Sequence, residues 1–393
     1  MTPAARIAAA IDILDAVLAG MPGAQALTRW ARGSRFAGSG DRAAVRDHVF
    51  DALRCLRSFT ALGGGGTPTG RKLILGLLRA AGQAPEAFFT GEGFAPAALT
   101  DAEAVFVPPR RADLPRGVAR DCPDWLLPEL DRALGARTDA VLEAMRTRAP
   151  VILRVNARRS TRDAAAALLG AEGIATAPHG LAKLALQVTG NAHKIKTSRA
   201  YLEGLVELQD ASPQAAVEAL PLSDGMRVLD LCAGGGGKTL AMAARADLAL
   251  FAHDAVPRRM RDLAGRAARA GIAVRLLATV ELDQTGPFDL VLADVPCSGS
   301  GTWRRAPEAK WALTAERLRA LGVTQDAILA RAASLVAPGG WIIYMTCSLL
   351  GPENRDRIDA FLATGSGATL CRERLCTPLD AGDGFYAAHL RRD

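Results

Sequence analysis

The sequence predicts a chain of three folded parts, the last an α/β domain built on a parallel sheet with helices on both faces. Two patterns carry this reading. Residues 1–148 show helical spacing with no strand-like alternation, and from Arg227 onward short apolar strands alternate with helices. Length is the third observation, since 393 residues exceed one ordinary core and fit two or three domains.

The all-α part, 1–148, rests on Ile7, Ile11, Leu14 and Leu18, and on Val45, Val49, Leu53 and Leu56, each set recurring at helical spacing. Leu73, Leu77 and Leu78 predict another helix, followed by one through Val118, Trp125, Leu126, Leu130 and Leu134. The run Gly63 to Gly66 and the Pro/Gly-rich stretch 91–117 are connections. A small α+β part, 149–222, begins with the strand VILRVN, Val151 to Asn156. Ser160 or Thr161 caps an alanine-rich helix over 162–169, and Ala185–Val188 and Leu205–Gln209 are further strands. The α/β part, 223–393, has strands at 227–231, 248–252, 274–277, 288–293 and 341–346. Its helices fall at 238–246, 257–270, 314–336 and 353–363. In such sheets ligands bind at the carboxyl ends of the strands, so the loops that follow them are the informative ones.

Composition narrows the function classes. Apolar residues make 49% of the chain and charged residues 23%, the balance of a soluble folded protein. No apolar run is long enough to span a bilayer, and Asp12 and Asp15 interrupt the N-terminal apolar stretch, which suits an amphipathic helix better than a signal peptide. A cytoplasmic location and no membrane partner are the expectations. Seven cysteines, none in a CxxC pair or a Cys/His cluster, argue against a disulfide framework and against a metal site. The net charge of +7 suits an anionic partner without proving one. Its local clusters are Arg110, Arg111, Arg116 and Arg120; Arg158, Arg159 and Arg162; Lys194, Lys196 and Arg199; and Arg304, Arg305 and Lys310. Each reads equally well as solvated surface.

The first strand of the α/β part runs into VLDLCAGGGGKT, Val228 to Thr239. Glycines let the backbone turn tightly and approach a ligand with no Cβ in the way, although nucleotide-binding proteins of several kinds use such a turn. A Walker loop is disfavoured, because its first glycine would fall on Cys232. The second strand ends in FAHD, whose Asp254 can accept hydrogen bonds from both ribose hydroxyls of an adenosine or, alternatively, cap the helix after Pro257. Together these features describe an adenosine-containing cofactor and do not separate a nicotinamide from a sulfonium. The fourth and last parallel strands do. LVLADVPCSGSGTWRRAPEAKW, Leu290 to Trp311, carries Asp294 and Cys297, and WIIYMTCS ends in Cys347. A single cysteine there would read as a small buried hydrophobe. Two at strand ends, one after Asp-Val-Pro, fit covalent catalysis: a thiolate adding to carbon 6 of a cytosine makes carbon 5 nucleophilic enough to attack a methyl sulfonium. Such a base must be flipped or already unpaired.

With these residues in view, the chain resembles the NOL/NOP/Sun family of RNA cytosine-C5 methyltransferases, and within it the bacterial RsmB type. The resemblance covers CAGGGGKT, DVPCSGSGTWRRAPEAKW and TCS in the family's order, LQDASPQAAVEAL (Leu208 to Leu220) and the closing DGFYAAHL (Asp383 to Leu390). RDHVFDALR, Arg46 to Arg54, is the piece most similar to the NusB-like domain of that type. The resemblance implies a Rossmann-like class I methyltransferase domain, preceded by a small α+β RNA-binding domain and an all-α NusB-like one. It implies S-adenosyl-L-methionine as cofactor and RNA, above all 16S ribosomal RNA, as partner, with the protein a monomer. Carried over by residue, Cys347 is the nucleophile, Cys297 assists release of the methylated RNA, and Asp294 borders both cofactor and cytosine. Cys232, Ala233, Gly234, Gly235, Gly236, Gly237 and Lys238 surround the cofactor, Asp254 holds its ribose, and Arg259 reaches it. Arg305 and Lys310 contact the RNA or order the Cys297 loop.

The sequence departs from the family pattern at three places. Gly234 and Gly235 stand where alanine and proline are usual, which predicts a more flexible loop. Thr279 stands where an aspartate usually binds the adenine amino group, so either Thr279 or a backbone carbonyl takes that part. Val295 replaces the common alanine. Two rivals remain. A cytosine-C5 methyltransferase acting on DNA uses the cysteine after the fourth strand and lacks a TCS cysteine, so Cys347 opposes it; tRNA is a further alternative polymer. A ribosome-assembly or RNA-binding factor with an impaired catalytic domain is kept open by Thr279 and Gly235, and opposed by both cysteines, Asp294 and Lys238.

Overall fold

The structure, a computed structural model, describes residues Met1 to Asp393 and divides into two compact units. The first comprises Met1–Arg148 together with Trp303–Ala312, and the second Ala149–Thr302 with Leu313–Asp393. No helix is long and apolar enough to cross a membrane.

The first unit is helical throughout. Its opening helix, Pro3–Leu18, is capped by the Thr2 hydroxyl, which accepts from the Ala5 amide. Ile7, Leu14, Val45, Val49, Leu53, Leu73 and Ile74 form the centre of its core. Helices Leu56–Leu62 and Gly70–Ala80 pack so closely that a Cβ on Gly76 would lie 2.0 Å from the Phe59 carbonyl oxygen. The segment Trp303–Ala312, remote in sequence, closes the end of helix Ser39–Arg54. The last carbonyls of a helix have no partner of their own. Here Trp311 Nε1 donates to the Leu53 carbonyl at 2.7 Å, and Lys310 Nζ donates to that of Arg54 at 3.1 Å. In return Arg54 Nε donates to the Arg304 carbonyl at 2.7 Å, and Glu308 accepts from the Gly23 amide at 3.0 Å. Burial pushes Lys310 down to about 8, against the opposing charge of Asp121.

The second unit holds two sheets. The smaller contains β1 (Val151–Val155), β2 (Thr176–Pro178), β3 (Ala185–Val188) and β4 (Val206–Leu208), antiparallel in the order β2-β3-β1-β4. Strand β2 escaped the sequence reading because three residues give no alternation to detect. Of the two cap candidates, Thr161 caps helix Arg162–Ala171. The larger sheet contains β5 (Arg227–Asp230), β6 (Ala249–Ala252), β7 (Arg275–Leu276), β8 (Phe288–Asp294), β9 (Val336–Thr346), β10 (Ala368–Cys376) and β11 (Phe385–Arg392). Its order is β10-β11-β9-β8-β5-β6-β7. Strands β9, β8, β5, β6 and β7 run parallel, and β11 and β10 join antiparallel at the far edge. The central β8 is apolar and buried from Leu290 to Ala293, as expected for a strand covered on both faces. Strand β10 is the addition that the sequence reading lacked. Its exposed Arg372, Glu373 and Arg374 mark a charged edge rather than a core strand.

Several arginines read as candidate anion contacts serve the fold instead. Arg158 Nε donates to the Ala243 carbonyl at 2.5 Å and Arg159 to that of Arg269 at 2.6 Å, both near helix ends. Arg110 pairs with Asp113, Arg111 with Glu143, Arg116 with Asp131 and Asp139, and Arg120 with Asp139 and Glu143.

Candidate functional site

The sheet order lays the candidate residues out in a row. At successive carboxyl ends of the parallel strands stand Cys347 after β9, Asp294 and Cys297 at β8, the glycine loop after β5, Asp254 after β6 and Thr279 after β7. An elongated ligand lying across the strand ends would meet them in that order.

The glycine loop is tightly held. Gly234 and Gly236 have φ of +50° and +79°, where glycine is unstrained, and a Cβ on Gly236 would lie 1.9 Å from Leu263 Cδ1. The Gly234 amide donates to Asp254 Oδ2 at 3.1 Å, and the Ala233 amide to the His253 carbonyl at 2.8 Å. Arg154 Nη1 donates to the Gly237 carbonyl at 2.8 Å, and Arg266 Nη1 to that of Gly235. The missing proline is thus offset by side chains that grip the loop from outside, which the sequence expectation of a looser loop did not include. Asp254 is buried and also accepts from the Val256 amide at 2.9 Å, with the exposed Arg259 at 3.5 Å. Each carboxylate oxygen carries two lone pairs, so Asp254 keeps acceptor capacity for ribose hydroxyls. Burial pushes the Cys232 thiol up to about 12, leaving it a neutral wall of the loop. Deeper still, Asp230 is raised by burial to about 6 and accepts from the Thr239 hydroxyl at 2.7 Å. A glycine cradle, a carboxylate at the second strand and further carboxylates beside it suit a ligand with a ribose and a positive sulfonium.

Lys238 and Asp294 form a close ion pair, with Lys238 Nζ 5.2 Å from the centroid of the Phe385 ring. Burial alone would lower Lys238, but the Asp294 charge and hydrogen bond outweigh it and its pKa rises. Next to this pair, Cys297 Sγ and Cys347 Sγ lie 3.4 Å apart. The hydrogen bond between them splits the two thiols: Cys347 is lowered as acceptor, and Cys297 is raised well above an ordinary thiol as donor. Burial and the Asp294 charge oppose ionisation of Cys347, whereas Lys238 favours it. One sulfur is therefore biased to thiolate and its neighbour to proton carrier.

What fixes the two sulfurs is a buried polar cluster that sequence reasoning missed. Glu353, fully buried, accepts from the Ser298 amide at 2.7 Å, from the Ser348 hydroxyl at 2.6 Å, from Gln325 Nε2 at 3.1 Å and from the Ser298 hydroxyl. Ser298 and Ser348 each follow a cysteine directly, so one carboxylate ties both loops together. Gly301 adds a close approach, its amide donating to the Cys347 carbonyl at 2.9 Å. The signal in the sequence was the serine after each cysteine; a buried carboxylate at a helix start carries none.

The remaining expectations fare unequally. Thr279 is exposed and opens the turn after β7, with its Oγ1 3.0 Å from His253 Nε2. Arg305 is exposed. Lys310 is not: its ammonium is buried on the Arg54 carbonyl, so it orders the segment and has no surface to offer RNA. Arg304 is likewise buried, donating to the Thr147 and Arg148 carbonyls.

Comparison with known proteins places the chain among methyltransferases. Residues 217–391 match the family described as 16S rRNA methyltransferase RsmB/F, and residues 122–194 match the ferredoxin-like domain of RsmF/B-like methyltransferases. The ribosomal RNA small subunit methyltransferase B of Vibrio cholerae is 33% identical over 285 residues, 69% of this chain and 65% of that protein. Its counterpart from Xylella fastidiosa is 33% identical over 290 residues, covering 69% of this chain and 67% of the relative. The chain thus spans about two thirds of these relatives, just under that share for the first. Among solved structures, a methyltransferase homologue from Pyrococcus horikoshii superposes with a TM-score of 0.62 at 25% identity, over 71% of this chain and 98% of that one.

Proposed function

This chain belongs to the RsmB/F family of methyltransferases, and from that premise we propose that it methylates carbon 5 of a cytosine in RNA, foremost 16S ribosomal RNA, through a covalent bond from Cys347 to carbon 6. The observation that carries the proposal is the pair of thiols 3.4 Å apart with opposite shifts, Cys347 lowered and Cys297 raised. A cysteine nucleophile needs its thiolate, and a departing thiolate is helped by a nearby proton donor.

S-adenosyl-L-methionine supplies the methyl group as an electrophilic sulfonium carbon. The residues suited to hold it are Cys232 to Lys238 along the glycine loop, Asp254 at the ribose, Arg259 and Thr279 at the far end, and Asp294 at the near end. Lys238 fixes Asp294 through their ion pair, so that Asp294 accepts from the amino edge of the cytosine and holds the base against Cys347. Cys347 Sγ bonds to carbon 6 as the electron pair of the 5,6 double bond moves toward carbon 5. Carbon 5 then takes the methyl group. A base, solvent water included, then takes the carbon 5 proton; the C5–H electron pair restores the 5,6 double bond, the Sγ–C6 pair returns to Cys347 as thiolate, and the Cys297 S–H stabilises that departing thiolate. The all-α part and the small α+β part are proposed to bind the RNA around the target.

The test is methyl transfer from labelled cofactor to 16S ribosomal RNA by the wild type and by Cys347→Ala. Incorporation by the wild type alone is expected; equal incorporation by both would remove Cys347 as nucleophile. With Cys297→Ala, a covalent protein–RNA species should accumulate on a denaturing gel, and its absence would count against the release role.

A further inference from the structure

We propose that Glu207 and Arg266 are positioning residues for the cofactor: Glu207, on β4 of the small sheet, holds Arg266 against the glycine loop, so that a carboxylate outside the larger sheet sets how tightly that sheet binds its cofactor. This rests on the cofactor reading above and deepens it by naming what keeps the loop in its binding shape.

The placement begins with strand alternation. Leu153, Val155 and Val206 enter the core of the small sheet, which turns Arg154 and Glu207, cross-strand partners in β1 and β4, to its opposite face. Both are buried there. On helix Leu263–Ala270, Arg266 and Arg269 lie one turn apart and share a face. Arg266 Nη2 donates to Glu207 Oε2 at 2.9 Å, and Arg269 Nη2 donates to Oε1 at 2.6 Å. The Arg269 guanidinium is steadied in turn by the Tyr201 ring, 4.8 Å from its centroid. With one arm so fixed, Arg266 gives the other, Nη1, to the Gly235 carbonyl, while Arg154 Nη1 donates to that of Gly237 at 2.8 Å. The loop is thus held on both sides of Gly236, whose φ is +79°.

Two features set this cluster apart from ordinary packing. Arg154 Nε is buried with no hydrogen-bond partner, and burial lowers the guanidinium to about 10 although the Glu207 charge opposes the fall. A buried ion pair is seldom a more stable filling than apolar side chains of equal volume, so the gain lies in where the arginine ends are placed. The second feature is Gly235. A Cβ built on it would lie 2.9 Å from Arg266 Nη1 and meet nothing else within 4 Å beyond its chain neighbours. The bare backbone at 235 is matched to this one arginine.

Calorimetric titration with S-adenosylhomocysteine reads the effect without turnover. Arg266→Ala leaves Glu207 paired with Arg269 but releases the Gly235 carbonyl, and should weaken binding about tenfold. Gly235→Ala should weaken it by a similar factor, because its methyl group displaces the guanidinium. In the Arg266→Ala protein the same methyl group meets nothing, and should cost no more than about twofold. Glu207→Gln turns a donor toward an arginine, and should raise KM for S-adenosyl-L-methionine about tenfold while KM for RNA holds. A fall in kcat with the cofactor KM unmoved, the mark of a smaller folded fraction, overturns the role of Glu207. Fully additive losses from Gly235→Ala and Arg266→Ala, or an Arg266→Ala protein that binds as the wild type does, overturn that of Arg266 and leave the cofactor site standing. A wild type that does not bind S-adenosylhomocysteine removes the cofactor reading and this proposal with it.

Discussion

The run from Asp294 to Ala312 is one motif in sequence but serves two different cores. Its first half, through Thr302, belongs to the α/β unit, where Ser298 hangs on Glu353 and Cys297 faces Cys347. Its second half, Trp303 to Ala312, belongs to the helical unit, where Lys310 and Trp311 complete the end of helix Ser39–Arg54. In the first half a buried carboxylate collects hydroxyl and amide donors to set sulfur against sulfur. In the second, a buried ammonium and an indole N–H supply donors to helix-end carbonyls. The comparison teaches that polar residues of one continuous motif need not serve one core: those that set the two sulfurs and those that close a helix end look alike in sequence.

If the first half is chemistry, its loss should be the largest. Cys347→Ala is expected to lower methyl transfer by about 10³-fold or more while leaving the thermal midpoint near that of the wild type. A variant that unfolds instead would make Cys347 a packing residue. The Cys297–Cys347 hydrogen bond can be probed separately through alkylation of Cys347 by iodoacetamide across pH. The thiolate is favoured by the Cys297 donor, so Cys297→Ala should move the midpoint of Cys347 alkylation to higher pH. An unmoved or lower midpoint breaks the assignment of donor and acceptor.

Next in size comes the clasp behind the sulfurs. Glu353→Gln retains the volume but replaces one acceptor oxygen by a donor facing groups that already donate, Ser298 N–H and Ser348 O–H among them. The two loops should drift apart by fractions of an ångström, and misplacement on that scale costs catalysis up to about 10²-fold. The expected signature is a drop in kcat with little change in KM for RNA. A rise in KM alone would assign Glu353 to substrate binding rather than to positioning.

How much of this was readable beforehand differs between the halves for a physical reason. The α/β order, the glycine loop, Asp254, Asp294 and both cysteines were legible because local chemistry fixes them: strand, turn and reactive group are adjacent in the chain. Glu353, Gln325 and His253 were not, because their roles come from pairings 55, 28 and 22 or more residues away. Strand β10 was missed because its edge position lets charged residues replace the apolar alternation. For Lys310 the sequence left two roles open, RNA contact or ordering of the segment, because a buried ammonium on a helix end has the same one-letter code as an exposed one; its burial on the Arg54 carbonyl favours the second.

The fold role of Lys310 has its own pH signature. Burial lowers it to about 8, from an ordinary lysine near 10.5. Between those values the unfolded chain holds more protons than the folded one, so stability rises with pH through that window, by on the order of 3 kcal/mol for this group. Below about pH 8 both states are protonated and the burial cost is fully present. In wild type minus Lys310→Met, the difference in thermal midpoint should therefore climb between pH 8 and 10. Parallel curves would place the ammonium in water and reopen it as a nucleic-acid contact.

The smallest effect should come from Arg305, the one basic residue of this second half that is exposed. Each phosphate neutralised by a cation releases counterions, which steepens the fall of affinity with salt. If Arg305 meets the RNA backbone, Arg305→Ala should weaken binding by a few-fold at moderate salt and reduce the log–log salt slope by about 1, without changing kcat at saturating RNA. Filter binding of 16S ribosomal RNA across a salt series measures that slope directly. A slope equal to that of the wild type would leave the second half of the motif with no RNA contact at all, and the division of labour at Thr302 would be complete: catalysis before it, folding after it.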